Sequence, residues 1–451
     1  MVARTAPGGT GRRWTNWGGT YRCSPVRIHT PAGEDEIVAI VREAAARGER
    51  VKVIGTGHSF TDIGCTDGHL IRLDRYRKVL GVDRERATVI AQAGITIVDL
   101  SAALAPFGLA MENIGDVGYQ TISGAISTAT HGTGETLRNL SSQVAGLRMV
   151  LADGSILECS EDSERDVLEA ARVGLGALGV ISTVTLRCVP AYYVRSVQEP
   201  ARLEELLDTL DERCRAHDHF ELFWWPHTEW AQSITNTRTQ DPPAASERRS
   251  GLGAYLNDVV IENHAFGLIQ RAAAVNRSWI PKLAAFTART MTRKEVCDRS
   301  DRIFANQRLV RFAEMEYAVP REHLVRAVRE VRAMIERTGL MISFPVEVRT
   351  VAADDIPLSP AYGRATGYVA VHVFHEFEYE PYFREVEAIM DGCEGRPHWG
   401  KLHFQTAATL RPRYPRWDDF IAVRDRLDPD GRFRNAYLDR VLGIARQEAP
   451  A

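Results

Sequence analysis

The pattern of apolar and polar positions in the first half of the chain predicts short helices and strands in mixed order. Between Glu34 and Arg47 the apolar residues recur at helical spacing, and Gly48 follows where a helix C-terminus favours glycine. The apolar run Val51–Ile54 then predicts a buried strand. Further strands are predicted at Leu70–Leu73, Ala87–Gln92 and Val180–Cys188, a hairpin at Val144–Leu151 and Ser155–Cys159, and further helices at Val98–Phe107 and Glu164–Ala171.

The pattern changes beyond Tyr193, which predicts a domain boundary near that residue. A helix is predicted near Leu203–Ala216 and a polar, proline-containing loop over Thr235–Gly251. An amphipathic helix between Glu322 and Glu336 is expected to lie across a second sheet. The strands of that sheet are predicted at Arg311–Val319, Ser343–Val351 and Tyr368–Phe374. The fold class that follows is α+β, with more than one domain.

Composition and charge argue against several classes of function. The 451 residues carry a formal net charge of -3, which provides no field to gather polyanions, so we expect no nucleic-acid partner. The seven cysteines are never spaced as a pair of metal ligands, which favours a reducing compartment. Neither a signal-peptide core nor a run of about 18 apolar residues occurs, so we expect a cytoplasmic protein without a membrane span.

The glycine-rich turn Gly55-Thr56-Gly57-His58-Ser59-Phe60 allows three interpretations. A Rossmann pyrophosphate loop fits poorly, because Phe60 occupies the third glycine position and the following Thr61–Gly64 is a poor helix start. A simple structural turn is the second interpretation. The third is a phosphate-cradling loop, in which the glycines expose successive backbone N–H groups to an anion.

A second segment, from Thr121 to Gly134, is composed almost wholly of Ser, Thr, Gly and Ala around His131. Such a surface lets a neighbour approach the backbone closely and can bring amides and hydroxyls to phosphate oxygens. A tightly packed small-residue helix is the structural alternative. A ligand-binding segment is the interpretation that the small side chains favour.

The second half carries four candidate chemical groups. Glu347 and Arg349 project from the same face of a predicted strand, because side chains alternate along a strand, and they can meet one ligand. A solvated sheet face or an ion pair is the alternative for them. His372 lies in an otherwise apolar strand, where a core histidine is the ordinary outcome, and Lys401 follows Trp399-Gly400, where a surface lysine is the alternative.

A zinc site at His372, His375 and Glu376 is a further possibility for this half. It lacks nearby cysteines and a helical HExxH arrangement. We therefore expect no metal site.

Five motifs, in order, resemble the vanillyl-alcohol oxidase type of flavoprotein, and more closely its aldonolactone and alditol oxidase branch. The likeness spans most of the chain and is weakest from about residue 196 to 310. The motifs are Gly55–Ser59, Asn113-Ile114-Gly115, the small-residue stretch that ends in Thr130-His131-Gly132, Gly176-Ala177-Leu178-Gly179-Val180, and His398-Trp399-Gly400-Lys401.

The resemblance implies a two-domain flavoprotein. It places an FAD-binding domain of the PCMH type, with two α+β subdomains, at 15–193. A substrate (cap) domain on an antiparallel sheet with flanking helices follows at 194–405, and a C-terminal segment at 406–451 returns toward the FAD domain. In many members the histidine that matches His58 is bonded covalently to the flavin. The residues implied to line FAD are Val53, Ile54, Gly55, Thr56, Gly57, His58, Ser59, Gly115, Thr121, Ser123, Gly124, Thr128, Ala129, Thr130, His131, Ile181 and His398.

The resemblance also implies a reaction. The run Phe344–Arg349 matches the Glu-x-Arg signature of the branch, which makes Glu347, Arg349, His372 and Lys401 the implied catalytic residues. An alcohol carbon would give hydride to flavin N5, and His372 or Glu347 would take the hydroxyl proton. Arg349 would hold substrate oxygen with its fixed donor fork.

Two substrate-site residues depart from the alditol oxidase pattern. Asp116 stands where those enzymes place serine and Phe374 where they place threonine, so the pattern favours an aldono-1,4-lactone oxidised at C2 over a polyol. The resemblance also places Gly115 at the flavin, where glycine would leave room for O2, and so implies an oxidase that forms hydrogen peroxide. An alditol oxidase, a lactone dehydrogenase with another electron acceptor and a non-catalytic electron-relay flavoprotein remain the alternatives.

Overall fold

Strands of the N-terminal half form two sheets in the computed structural model, which describes residues 13–244, 264–305 and 309–443. The smaller sheet is parallel, and its strands stand in the order Arg27–His29, His69–Arg72, Val51–Ile54. The larger sheet is antiparallel, in the order Ile156–Ser160, Val144–Val150, Val180–Arg187, Thr88–Gln92, Val79–Asp83. These bounds agree with the predicted strands to within one or two residues, and the predicted hairpin is confirmed.

Helices of this half pack against the sheets through their apolar sides. Glu34–Ala46 buries Ile37 and Val41, and the chain leaves it through Gly48, whose φ of +66° is the left-handed conformation that glycine adopts at low cost. The other helices of the half are Ile97–Leu104, Ile122–Ser127 and Arg165–Ala171. Two small antiparallel pairs complete it, Trp14–Thr15 with Arg22–Cys23 and Leu109–Ala110 with Val189–Pro190.

In the second half, the described residues form one antiparallel sheet of eight strands. Their order is Lys294–Arg299, Tyr193–Arg202, Trp230–Thr239, His219–Trp224, Val346–Val351, Thr366–Phe374, Phe312–Pro320, Arg396–Pro397. The helices of this half are Leu203–Asp208, Leu210–Ala216, Phe266–Val275, Ile280–Thr290, Ser300–Phe304, Leu324–Thr338 and Glu380–Gly392. The α+β class with an antiparallel second sheet is therefore confirmed.

The two faces of this sheet differ in polarity. Val346, Val348 and the alternate residues of the neighbouring strands share one core with the helices Leu324–Thr338 and Glu380–Gly392. Residues between them, such as Glu347 and Arg349, project to the opposite face, because the side-chain period of a strand is two. One face is thus covered by helices, and the other is free to carry charge.

Two predicted elements were wrong in detail. The helix near Leu203–Ala216 is broken at Thr209 into two short helices. The predicted polar loop begins inside the strand Trp230–Thr239, which pairs on both sides and buries the polar Ser233 and Asn236. Hydrogen bonding to a neighbouring strand on each side stabilises this strand despite its polar residues. Positions 245–251 of the predicted loop lie outside the described residues.

The C-terminal helices Ala407–Leu410, Trp417–Leu427 and Ala436–Leu442 pack into the apolar core of the N-terminal half. Just before the last helix, the Asn435 side-chain amide donates to the carbonyl oxygens of Asp62, Ile63 and Cys65 at 2.9 to 3.0 Å. The end of the described chain thus supports the turn that follows the glycine-rich loop. None of the helices in the described ranges is long and apolar enough to cross a bilayer.

Candidate active site

Three segments of the N-terminal half line one cleft. They are the glycine-rich loop after Val51–Ile54, the start of the helix Ile122–Ser127, and the turn that carries Gly176 and Gly179. Trp14 and Lys52 also line the cleft, although the sequence analysis did not name them. Of the residues predicted to hold FAD, the cleft contains Val53, Ile54, Gly55, Thr56, Gly57, His58, Ser59, Thr121, Ser123, Gly124, Thr128 and Ile181.

The glycine-rich loop lies too close to its neighbours for side chains. A Cβ added to Gly55 would lie 2.1 Å from Thr121 Oγ1, and Gly57 has a φ of +76° with the Trp14 ring 3.1 Å from its would-be Cβ. Phe60, at the third glycine position of the rejected Rossmann motif, is buried against Phe312 instead of opening a helix. The loop is therefore a bare backbone cradle, as the phosphate interpretation requires.

Lys52 links this cleft to the C-terminal segment. Its ammonium is buried and donates to the carbonyl oxygens of Gly176 at 3.1 Å and Phe433 at 3.3 Å. Burial lowers the pKa of Lys52 to about 8, and Asp428 partly opposes that shift. No sequence motif points to Lys52, whose only signal is a charged residue within an apolar strand.

The other predicted cofactor residues lie outside this cleft, where the N-terminal half meets the eight-stranded sheet of the second half, here called the large sheet. They are Gly115, Ala129, Thr130, His131 and His398, and Ala129 holds a left-handed φ of +58° that a non-glycine residue rarely adopts. Both polar side-chain atoms of Asn113 and the hydroxyl of Thr130 are buried there without a hydrogen-bond partner in the described part of the chain. Buried polar groups are normally paired, so these atoms fit a polar ring system such as the flavin.

Backbone hydrogen bonds fix the two halves together at this junction. The Phe60 N–H donates to the Gly400 carbonyl at 2.7 Å, which ties the glycine-rich loop to the motif that carries Lys401. On the other side, the Gly134 N–H donates to the Thr350 carbonyl at 2.8 Å. The strand of Glu347 and Arg349 is therefore held directly against the segment that contains His131.

Charged side chains occupy the face of the large sheet at this junction. Glu314 lies opposite His372 in the strand register, Glu347 lies opposite Ala370, and Arg349 lies opposite Glu221. All of these charged residues are buried. Buried charges must be paired, so their partners define the site.

Arg349 is the centre of the first charge cluster. Its guanidinium contacts Asp116 at 2.9 Å and Glu221 at 2.7 Å, and it also pairs with Glu347. Burial opposes the charge of Arg349, but the three acids outweigh burial and raise its pKa well above the usual value. Burial, opposed by Arg349 and reinforced by Asp116, raises the pKa of Glu347.

His372, Glu314 and Lys401 form the second cluster. His372 Nδ1 donates to the Pro345 carbonyl at 3.1 Å, and its Nε2 lies 3.5 Å from Glu314, which also pairs with Lys401. Burial alone would raise the pKa of Glu314, but Lys401 and then His372 lower it to about 2. The ionised carboxylate of Glu314 therefore lies beside Nε2 of the imidazole.

A third group joins His131, Glu316 and His398. His131 Nε2 lies 3.2 Å from Glu316, and His398 Nδ1 accepts the Gly400 N–H at 3.0 Å. Burial lowers the pKa of His398 to about 3, which leaves it neutral. Within the described residues this is the one trio close enough to share a metal ion.

The residues of the alternative zinc site do not come together. His375 lies 3.9 Å from Glu376 at the surface, while His372 faces Glu314 inside the second cluster. Phe374, the other residue predicted to contact substrate, is buried against the rings of His375 and Phe377. Asp116, by contrast, lies in the first cluster.

Three buried acids of this site were not predicted from the sequence: Glu221, Glu314 and Glu316. Each interrupts an otherwise apolar strand, and Glu314 and Glu316 are two residues apart, so they share a face. A carboxylate in a buried strand needs a cationic partner. That signal was present in the sequence, although it does not identify the partner.

Comparison with known proteins assigns the chain to a family. Residues 184–441 match the family model described as D-arabinono-1,4-lactone oxidase. The chain belongs to the D-arabinono-1,4-lactone oxidase family. Members or relatives of this family include the L-gulono-1,4-lactone dehydrogenase of Mycobacterium tuberculosis, 46% identical over 95% of this chain and 99% of that protein. The L-gulonolactone oxidase of Bos taurus is 37% identical over 96% of this chain and 98% of that protein.

Two further matches concern the cofactor and the fold. Residues 25–160 match the model of an FAD-binding domain, so FAD is the cofactor of this family member. The solved structure of a solvent-stable cholesterol oxidase has a TM-score of 0.82 at 18% identity and covers 96% of this chain and 98% of that one, which shows a shared fold. The bare glycine cradle and the unpaired Asn113 and Thr130 atoms fit that cofactor.

The close approach at Gly55 yields a testable prediction. We expect Gly55→Ala to force the loop away from Thr121 and to cost about 1–3 kcal/mol, which weakens FAD binding about 5- to 150-fold. The measurement is the FAD content of the purified variant and its affinity for added FAD. Gly33→Ala, where a Cβ meets nothing within 4 Å, is the matched control. Wild-type affinity in Gly55→Ala would show that the loop does not cradle FAD.

Proposed function

We propose that the protein oxidises an aldono-1,4-lactone, of the D-arabinono- or L-gulono-1,4-lactone type, at its C2 hydroxyl. Family membership and the names of the relatives support this substrate class. The observation that carries the proposal is Arg349, buried among Asp116, Glu221 and Glu347 on the sheet face that meets the FAD-binding half. A non-catalytic electron carrier has no need of such a cluster.

FAD, when bound, supplies the hydride acceptor for the alcohol carbon. The planar guanidinium of Arg349 binds substrate oxygen and stabilises the negative charge that develops on it. Glu347 accepts a hydrogen bond from a substrate hydroxyl. Both side chains project from the strand Val346–Val351, which orients them toward one ligand.

We propose His372 as the base that takes the hydroxyl proton. Its Nδ1 donates to the Pro345 carbonyl, so Nε2, which lies 3.5 Å from Glu314, is the ring atom that can accept a proton. Glu314, held ionised by Lys401, then stabilises the protonated ring. This arrangement favours His372 over Glu347, whose carboxylate is already paired with Arg349.

The substrate pocket favours a lactone over a polyol. Asp116 pairs with Arg349, so its carboxylate orients the guanidinium and is not free to bind a substrate hydroxyl. Phe374 lies on the same sheet face as His372 and is buried, so it presents an apolar ring there and no hydrogen-bonding group for a polyol. Both features support the lactone assignment.

We propose three units for these tasks. Residues 15–193 hold FAD, residues 194–405 bind substrate, and residues 406–451 return to brace the FAD unit. The two family models, which match residues 25–160 and 184–441, support separate first and second units. The hydrogen bonds of Asn435 to the turn at Asp62 support the return of the C-terminal residues. We also propose a cytoplasmic location, which the seven cysteines, all free thiols, support.

We propose O2 as the electron acceptor, with hydrogen peroxide as the product. The resemblance, which places Gly115 at the flavin, supports this acceptor, because a residue without a side chain leaves room for O2. Gly115 lies against the Thr130 side chain and the His131 backbone: an added Cβ would be 3.0 Å from the His131 carbonyl oxygen. A methyl group there would have to displace these neighbours. One relative is named a dehydrogenase, so the identity of the electron acceptor requires a direct test.

We further propose that His58 bonds covalently to FAD. Burial, reinforced by Lys401, lowers the pKa of His58 to about 4, so the ring is neutral and keeps a lone pair at neutral pH. Trp17 stacks on the ring with a centroid distance of 5.4 Å and fixes its plane at the mouth of the cleft. A neutral, oriented imidazole is the form that a carbon–nitrogen bond requires.

The substrate assignment predicts the effect of Arg349→Lys. A lysine keeps the positive charge among the three acids but loses the planar fork, so flavin reduction by lactone should slow about 10²–10³-fold while FAD content stays unchanged. Stopped-flow absorbance without O2 measures this rate. Arg195→Lys, a paired arginine on the same sheet, is the control. Equal losses of FAD and rate would contradict the assigned role.

The acceptor assignment predicts that reduced wild-type enzyme reoxidises rapidly when mixed with O2. Gly115→Ala should slow this step more than it slows flavin reduction, because the added methyl takes up room that the proposal assigns to O2 and displaces Thr130 and His131. Rapid mixing with air-saturated buffer, together with a peroxide assay, gives both rates. Slow reoxidation of the wild type would overturn the oxidase assignment and leave the lactone assignment intact.

The covalent bond predicts the behaviour of the colour on denaturation. Acid-precipitated wild-type protein should keep its yellow colour in the pellet, whereas His58→Ala should release it into the supernatant. The absorbance of the two fractions is the measurement, and His29→Ala serves as the control. Release of the colour from wild-type protein would exclude the bond.

A further inference from the structure

One stretch of the chain has an unusual charge. Residues 264–292 contain no aspartate or glutamate, although the whole chain has a net charge of -3. This stretch, here called the basic hairpin, forms the two helices Phe266–Val275 and Ile280–Thr290. Its arginines and lysine are Arg271, Arg277, Lys282 and Arg289.

The outward faces of the basic hairpin combine cations with large apolar side chains. Leu268, Arg271 and Val275 follow one another at helical spacing on the first helix, and so do Lys282, Phe286 and Arg289 on the second. The exposed apolar residues are Leu268 at 64%, Val275 at 80%, Phe286 at 59% and, between the helices, Trp279 at 45%.

The inward faces account for the folding of the basic hairpin. Ile280, Ala284 and Ala288 are buried at successive turns of the second helix. On the first helix, the Gln270 side chain exchanges hydrogen bonds with Ser343 at 3.0 and 2.6 Å, and Phe266 meets Phe344 edge-on at 4.9 Å. The outward apolar residues therefore have no part in this packing.

The outward cations are available to an external partner. No carboxylate in the described ranges pairs with Arg271, Lys282 or Arg289, whereas most arginines elsewhere on the surface form ion pairs. Arg277 lies over the Phe377 ring at 4.6 Å. The face thus presents uncompensated positive charge beside exposed apolar side chains.

We propose that the basic hairpin docks the protein on an anionic lipid bilayer, with Leu268, Val275, Trp279 and Phe286 entering the interface. Alternating cationic and apolar residues on one helical face are the pattern of interfacial helices, and Trp favours the headgroup level. The helices have 10 and 11 residues, about half the length that a membrane span needs, so they lie on the surface.

The other possible partners fit less well. A nucleic acid would pair the cations but would leave Leu268 and Phe286 in water. A second copy of the same face would bring like charges together without a carboxylate to compensate them. An anionic bilayer satisfies the cations and buries the apolar side chains at once.

The test uses the FAD-loaded protein and vesicles of phosphatidylcholine with or without phosphatidylglycerol. We expect cosedimentation with the anionic vesicles, loss of binding at high salt, and little binding to phosphatidylcholine alone. The double variant Lys282→Gln/Arg289→Gln should bind about 30-fold more weakly. Phe286→Ser should weaken binding about tenfold or more. Leu80 is 54% exposed but lies on the strand Val79–Asp83 of the N-terminal half, so the control variant Leu80→Ser should have no effect.

Four outcomes would overturn the proposal. These are no binding to anionic vesicles, binding that Phe286→Ser leaves unchanged, full competition by duplex DNA, and dimerisation through the hairpin in place of vesicle binding. FAD content and circular dichroism verify that each variant folds. Because no substrate is present, the result is independent of the proposed lactone oxidation.

Discussion

The burial of Arg349 among three carboxylates is the constraint on which the rest of the site depends. Removing charges from water costs several kcal/mol per ion, and mutual attraction repays that cost only when geometry is good and partners are complete. Asp116 comes from the FAD-binding half, while Glu221 and Glu347 come from two adjacent strands of the large sheet. The charge of Arg349 is therefore fully paired only when both halves of the chain are docked.

The two-faced sheet makes that docking possible. Its apolar face is covered by the helices Leu324–Thr338 and Glu380–Gly392, so the other face can carry charge without losing the core. Hydrogen bonds from Phe60 and Gly134 then fix this face against the glycine cradle and the His131 segment. The glycine-rich loop, His372 and the Arg349 guanidinium thus lie at one junction, although they are far apart in sequence.

Much of this organisation could be predicted from the sequence, and the exceptions have physical causes. Periodicity identified the strand of Glu347 and Arg349 and the helix before Gly48, because local pattern and burial agree there. It failed at Trp230–Thr239, where pairing on both sides buries polar residues. The partners of Glu221 and Glu314 could not be predicted, because strand order and register arise from contacts between distant segments.

The most direct test of the whole account is anaerobic addition of sugar lactones to the yellow wild-type protein. An aldono-1,4-lactone, such as D-arabinono- or L-gulono-1,4-lactone, should bleach the flavin absorbance at a rate that saturates with lactone concentration. Polyols such as xylitol should bleach it far more slowly. If protein with a full complement of FAD stayed yellow with every lactone, the assignment of Arg349 and His372 to lactone oxidation would be contradicted.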